Sequence, residues 1–397
     1  MAQLSDRLNR LAPSATLAMS QKSNEMKAQG VDVINMSVGE PDFNTPDHIK
    51  EAGKKAIDDN FSKYSPVPGY MDLREAIVEK LKKENGLDYT TNEVIAGTGG
   101  KQGVCNTILA LVNPGDEVII PAPYWVSYPQ MAKLAGATPV IVRAGFEQDF
   151  KMTAEQLEAA ITPKTKMLIL CSPSNPTGSV YSQEELNALA EVILKHEDIF
   201  VLSDEIYEHI NYVGKAASIA SYPGMKERTI ICNGVSKAYA MTGWRLGWVA
   251  APAWIVKGIN KLQGQYTSGT CDVSQKAAVA AYVASQDCVE QMRVAFERRR
   301  DLIVKLAKDI PGLEVNVPQG AFYLFPKCSS FFGKSDGETV INNSTDFAMY
   351  ILEKAHVATV GGDAFGEPDC FRMSYATSDD NIREAMRRIK EVLAVLK

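Results

Sequence analysis

Seven short apolar runs recur between residues 92 and 252: VIAG, EVIIPAP, TPVIVRA, KMLILCS, IFVLSD, RTIICN and GWVAAP. Each is bounded by glycine, proline or polar residues, and the runs alternate with stretches in which apolar positions lie three and four apart. Runs of this length read as buried strands, and their alternation with helical stretches predicts crossover units in a mostly parallel sheet. The expectation is an α/β fold whose large domain, residues 46–290, holds a mostly parallel, mixed seven-stranded sheet covered by helices. Two helix starts are marked: Ser182 with Glu185 forms a capping box before LNALAEVIL, and Thr45 with Pro46 opens HIKEAGKKAI. A smaller α/β domain is expected from the terminal segments, residues 1–45 and 291–397. Its strands would include LEVNVP, GAFYLFP and CFRMSYA, and its helices FAMYILEKA and NIREAMRRIKEVLAVL.

Composition narrows the class without naming a chemistry. A chain of 397 residues exceeds what one hydrophobic core organises, in agreement with two domains. A net charge of −6 argues against a nucleic-acid surface. The one compact basic run, Arg298 to Arg300, lies between Glu297 and Asp301 and reads as a solvated helix face. No apolar stretch is long enough for a transmembrane helix, and the N-terminus lacks the apolar segment of a secretory signal. Seven cysteines without CxxC pairs fit reduced thiols, so a cytoplasmic location is expected. His48, His196, His209 and His356 have no metal-ligand spacing, and no metal site is assigned.

Candidate chemistry gathers at the ends of the apolar runs. In NGVSKAYAMTGWRLG, residues 233–247, Lys237 is placed to form an imine with an aldehyde such as pyridoxal phosphate. Ser236 and Arg245 would supply a hydroxyl and a bidentate guanidinium to the adjacent phosphate. The plainer reading is a surface lysine before a buried strand. Asp204 and Tyr207, in SDEIYEHI, follow IFVL; a carboxylate there can keep a pyridine nitrogen protonated, or can cap a following helix. Asn175, in CSPSNPTG, sits in a proline-punctuated loop and can donate to a ring oxygen or carboxylate, although NPTG is also simply a turn. The loop GTGGKQG, residues 97–103, lies between a strand and a helical run, where backbone N–H groups close on phosphates; it matches neither GxGxxG nor the Walker pattern.

Together, in this order and at this spacing, SPSNPTG, SDEIYE and SKAYAMTGWRLG resemble the fold-type I pyridoxal-phosphate aminotransferases, in particular bacterial aspartate aminotransferases. The resemblance runs from SVGEPDF at residue 37 to FRMSYAT at residue 377. It implies that Lys237 is the Schiff-base lysine and proton shuttle, Asp204 the pyridinium partner, and Tyr207 and Asn175 the ring-oxygen donors. Gly99, Gly100, Ser236 and Arg245 match the phosphate cup, and Trp125 the indole stacked on the cofactor ring. Tyr64 matches a tyrosine that reaches the phosphate of the neighbouring subunit, which implies a homodimer. Arg372 matches the clamp on the substrate α-carboxylate, and Gly39 a backbone contact to the same group. Core aromatics at Trp125 and Tyr64, and a salt bridge at Arg372, are the plainer alternatives.

One departure concerns the substrate's distal carboxylate. The best-known aspartate aminotransferases use a second arginine from the partner, and GQYTSGTCDVSQ, residues 264–275, contains none. The resemblance is to a branch that uses a lysine after the glycine pair, here Lys101. The implied reaction is ping-pong transfer of the amino group from L-aspartate to 2-oxoglutarate, giving oxaloacetate and L-glutamate. Another pyridoxal enzyme on this fold (a prephenate, aromatic or alanine aminotransferase, or a lyase) is the alternative, because specificity resides in a few side chains. A transcription regulator with an aminotransferase-like domain would need a DNA-binding module ahead of Ser37, for which there is no room. A nicotinamide-dependent oxidoreductase would need a dinucleotide glycine fingerprint, which the sequence lacks. Small-molecule amino acids and 2-oxo acids, and a second copy of the chain, are thus the expected partners, with no nucleic acid and no membrane.

Overall fold

The seven apolar runs all become strands of one sheet in the computed structural model, which describes residues 4–397. Numbered along the chain after a two-residue strand β1 (Ile34–Asn35), they are β2 (Val94–Gly97), β3 (Glu117–Ala122), β4 (Thr138–Arg143), β5 (Thr165–Cys171), β6 (Phe200–Asp204), β7 (Thr229–Gly234) and β8 (Gly247–Ala250). Their spatial order is β2-β8-β7-β6-β5-β3-β4. β8 runs antiparallel to both its neighbours, and every other pairing is parallel. The sheet is therefore mostly parallel and mixed, as expected. Helices cover both faces, so β2, β7 and β8 are buried along their whole length.

Smaller sheets form from the ends of the chain. β9 (Tyr323–Leu324), β11 (Val360–Gly361) and β12 (Phe371–Ser374) make an antiparallel sheet in the order β11-β12-β9. β1 pairs in parallel with β10 (Val357–Ala358), which ties the N-terminal segment to the C-terminal one. Around them lies a core of Phe296, Phe322, Phe347 and Phe371, with Phe43 packed edge-on to Phe296 at 5.3 Å between ring centres. The helix Asp287–Lys308 passes position 290 without interruption. Its Val289 packs with Trp248 in the large core, while Phe296 and Ile303 belong to the core of the terminal segments. We propose that this helix is the shared spine of two domains dividing near residues 45 and 290.

Local signals met different fates. Ser182 caps the helix Gln183–Leu194 by accepting from the Glu185 N–H, and the Glu185 carboxylate accepts from the Ser182 N–H, completing the box. Thr45 does not cap Asp47–Asp58; its hydroxyl donates to the Ala240 carbonyl at 2.7 Å and accepts from Trp244 Nε1. LEVNVP forms no strand, and its only ladder contact is a single bridge between Glu314 and Lys327. Pro318 closes the segment and cannot donate to a ladder. The arginine run is not a solvated face: Arg299 is buried and holds Asp42 at 2.7 Å, while Arg298 pairs with Asp379 at 2.9 Å. The long helix thereby grips the segment after residue 37 by charge as well as by packing.

Phe296 is fully buried between Phe43 and Phe322. Phe296→Ala is expected to destabilise by about 3–5 kcal/mol, read as a lower guanidinium midpoint for loss of helical circular dichroism. An unchanged midpoint would show that the core relaxes around the missing ring.

Candidate active site

Parallel strands bring their carboxyl ends to one edge of a sheet, and open α/β sheets present ligands there. β5 and β6 end in register at this edge, with Cys171 beside Asp204 and Asp204 beside Cys232, and β7 continues to Gly234. β8 runs the other way and so begins there. Its first residue, Gly247, pairs with Gly97 on one side and Gly234 on the other. Three loops leave from this triplet: residues 98–100, residues 235–237, and the turn that ends at Arg245. A Cβ on Gly247 would strike the Gly99–Gly100 backbone, and one on Gly234 would lie 2.7 Å from Gly247 Cα. Side chains at these positions would hold the loops apart.

The loops enclose a cavity of about 300 Å³, lined by Gly39, Gly100, Lys101, Trp125, Asn175, Asp204, Tyr207, Ser236, Lys237, Arg245 and Arg372 among others. Eleven of the expected site residues are thus brought together. Gly99 lies just behind the lining with φ +79°, and a Cβ there would come within 2.6 Å of the Arg245 guanidinium. Tyr64 does not join the cavity of its own chain and is fully exposed. It is not a core aromatic.

Lys237 Nζ donates to the Gly39 carbonyl at 2.6 Å. Burial brings its amine down to about 8, helped by Arg245 and Arg372 and opposed by Glu40 and Asp204. Asp204 is buried and pushed up to about 6 by burial, against the hydrogen bonds it accepts from the Tyr128 hydroxyl at 2.6 Å and the Ile206 N–H at 3.3 Å. No helix follows it, so the capping reading does not apply. Arg372 is buried and donates to Asn175 Oδ1 at 2.8 Å and to the Ser37 carbonyl at 2.6 Å, while its Nε has no partner. Lys101 Nζ lies 4.8 Å from the centre of the Trp125 ring, and burial followed by Arg245 lowers its pKa. Arg245, at φ +56°, donates to the Thr242 carbonyl at 2.8 Å. Among the described residues no carboxylate forms an ion pair with Lys101, Arg245 or Arg372.

Sequence reasoning missed several lining residues. Tyr128, three positions after Trp125, fixes Asp204, and nothing in its local sequence marked it. Tyr323 lines the cavity from within GAFYLFP, which had read as sheet core, and its hydroxyl is 2.7 Å from that of Tyr207. Thr16, Leu17 and Ser20, on the helix Ala15–Ala28, complete the wall and carry no chemical signature. Away from the cavity, Glu84, Glu208 and His209 place ligand atoms close together, but buried Lys80 pairs with both Glu208 and Glu84, making this an ion-pair network.

The family model for aminotransferase class I and II matches residues 31–389. The chain belongs to this family. It is a pyridoxal-phosphate-dependent transaminase. An aspartate/prephenate aminotransferase of Cereibacter sphaeroides is 49% identical, with 100% of each chain covered. A bifunctional aspartate aminotransferase and glutamate/aspartate-prephenate aminotransferase of Petunia hybrida is 49% identical over 99% of this chain and 83% of its own. Among solved structures, the aspartate aminotransferase of Rhizobium meliloti superposes with a TM-score of 0.97 at 42% identity, covering 100% of both chains. That of Thermus thermophilus with maleate gives 0.93 at 40% identity, covering 99% of this chain and 100% of the other. Members of the family are typically dimers that act on small molecules, and no helix among the described residues is long and apolar enough to cross a membrane.

The donor set fits the family's cofactor. Gly99 leaves room for the Arg245 guanidinium at the N-terminus of the helix Gly100–Leu111, a ready anion site beside Ser236. Asp204 and Lys237 are the acid and the amine that a pyridine nitrogen and an aldehyde require. In cofactor-free protein, acetylation of Lys237 should rise with pH through a midpoint at about 8 and then level off, well before an ordinary lysine does. Lys54, whose amine is held up by Glu51, should keep gaining beyond pH 10.5. Peptide mapping of pulse-labelled protein measures both profiles, and parallel profiles would remove the case for a depressed Lys237.

Proposed function

We propose that the protein is an aspartate aminotransferase, transferring the amino group of L-aspartate to 2-oxoglutarate to give oxaloacetate and L-glutamate. One observation carries this reading: Lys101, Arg245 and Arg372 face one cavity with no carboxylate partner among the described residues. Three unpaired cations match three anionic groups, a phosphate and the two carboxylates of a dicarboxylic amino acid.

In this reading Gly99, Gly100, Ser236 and Arg245 hold the phosphate, with Tyr64 of a second copy of the chain completing the cup. Asp204, oriented by Tyr128, holds the pyridine nitrogen, Tyr207 and Asn175 hold the ring oxygen, and Trp125 offers its face to the ring. Bound there, pyridoxal phosphate supplies an electron sink for the charge that develops at the substrate Cα. Arg372 grips the α-carboxylate beside Gly39 and Asn175, whose oxygen is already committed to Arg372. Lys101 takes the distal carboxylate as a point charge on a flexible stem. Lys237 would anchor the cofactor; freed by the incoming amine, its Nζ would take the proton from Cα and hand it back on the cofactor side. An amine near 8 is basic enough to accept that proton and neutral often enough to attack. With the amino group kept on the cofactor and water supplying the oxo oxygen, oxaloacetate would leave before 2-oxoglutarate binds, so ping-pong kinetics are expected. The names of the relatives favour a second acceptor, prephenate, which belongs in the same assay panel.

Purified protein loaded with pyridoxal phosphate should be yellow and bleach on adding aspartate; a colourless protein, or one inert to every amino acid, overturns the proposal. Arg372→Leu is expected to lower kcat/KM for all amino acids by roughly 30- to 5,000-fold. Lys101→Ala should weaken aspartate by roughly 10- to 100-fold and leave alanine nearly unchanged; equal losses would remove Lys101 as the distal clamp. Sedimentation should show a dimer, and Tyr64→Phe should weaken cofactor retention. A fully active monomer would end the shared-site reading.

A further inference from the structure

Tyr323 touches three parts of the site at once. Its hydroxyl lies 2.7 Å from the Tyr207 hydroxyl, and both tyrosines are buried. Its ring centre lies 4.7 Å from the Arg372 guanidinium carbon, which also sits 4.9 Å from the centre of the Phe365 ring. The same hydroxyl packs so closely on Gly39 that a Cβ there would collide with it. Gly39 in turn accepts from Lys237 Nζ. Tyr323 enters on β9, contributed by the C-terminal segment, whereas Tyr207 follows β6 of the central sheet.

The two hydroxyls share one hydrogen bond and make no other among the described residues. Each carries one proton, so one proton spans the pair and the other is left for a ligand. Arg372 decides which. A cation against the face of the Tyr323 ring draws electron density from it and makes its O–H the stronger donor of the two. Tyr323 would then donate to the Tyr207 oxygen, leaving the Tyr207 proton to face the cavity.

We infer that Tyr323 is a positioning residue that orients the Tyr207 hydroxyl as a donor and braces Arg372, joining the carboxylate clamp to the ring-oxygen contact. The inference rests on the roles given above to Tyr207 and Arg372. A donor that itself accepts a hydrogen bond donates more strongly, so Tyr323 strengthens the hold of Tyr207 on an anionic ring oxygen. The charged and titratable groups facing the pair are Arg372, Lys237 at 5.9 Å from the centre of the Tyr207 ring, and Cys171. Burial pushes the Cys171 thiol up to about 12, so it stays neutral over the working range.

The test uses holoenzyme reconstituted with pyridoxal phosphate and no substrate, following its visible band against pH. Tyr323→Phe keeps the ring against Arg372 and removes only the hydroxyl. Weaker donation from Tyr207 disfavours the anionic oxygen, so the proton is held to higher pH and the midpoint should rise by roughly 0.4 to 1 unit. The affinity for succinate, a dicarboxylate with no amine to react, should be unchanged. Tyr323→Leu removes the ring as well and should weaken succinate by roughly 2- to 30-fold. A Tyr323→Phe protein with wild-type midpoint overturns the inference, as does one that loses succinate affinity together with melting temperature, the mark of a merely structural role. A wild-type protein with no visible band would instead overturn the cofactor reading beneath it.

Discussion

Gly247 lies between Gly97 and Gly234 at the one edge of the sheet where all three strands open into loops, and the rest of the site depends on their lack of side chains. Because β8 is antiparallel to its neighbours, its beginning coincides with their ends. Arg245, two residues earlier, arrives beside Gly99 and Gly100, and Lys237, three residues after Gly234, arrives across from them. A methyl group at Gly247 would meet the Gly99–Gly100 backbone. The positions of Arg245 and Lys237 are thus set by a backbone close contact, not by any attraction between the charged groups, which repel one another.

That repulsion is the second feature of the site. Lys101, Arg245 and Arg372 have no carboxylate partner among the described residues, and Arg372 leaves a buried Nε without an acceptor. Such an arrangement costs stability when nothing anionic is bound. It also holds the Lys237 amine down, burial being the larger cause and the neighbouring guanidiniums adding to it. In the proposed reading the same unpaired charge would serve two ends, selecting anionic ligands and helping to keep the Lys237 amine neutral.

The second wall of the cavity comes from the ends of the chain. Arg372 on β12, Tyr323 on β9 and Gly39 after β1 are positioned by a core of phenylalanines and by the long helix Asp287–Lys308, whose buried Arg299 holds Asp42 close to Gly39. In the proposed reading the cofactor contacts come from the central sheet, while the substrate contacts are shared between the terminal segments and Lys101 and Asn175, which follow β2 and β5 of that sheet. Tyr207 and Tyr323 meet where the two sets join.

Much of this was legible in the residues alone. Buried strands read as continuous apolar runs whatever their partners, so all seven strands of the large sheet and their turns were visible, and with them Lys237, Asp204, Asn175 and Arg245 at strand ends. LEVNVP misled because strand formation needs a neighbouring edge, and local composition says nothing about whether one is offered. Arg299 misled because three adjacent arginines look alike in sequence, while the 3.6-residue turn of a helix points one of them inward. Tyr128 and Tyr323 were invisible as site residues since a tyrosine hydroxyl gains meaning only from what faces it across nearly 80 or more than 100 residues of chain. The sequence by itself determined the strands, the loops and the chemical groups they carry, because those follow from local periodicity and residue type. Only the tertiary structure decided which groups share a cavity, which charges go unpaired and which hydroxyls meet, because those depend on distances between residues far apart in the chain.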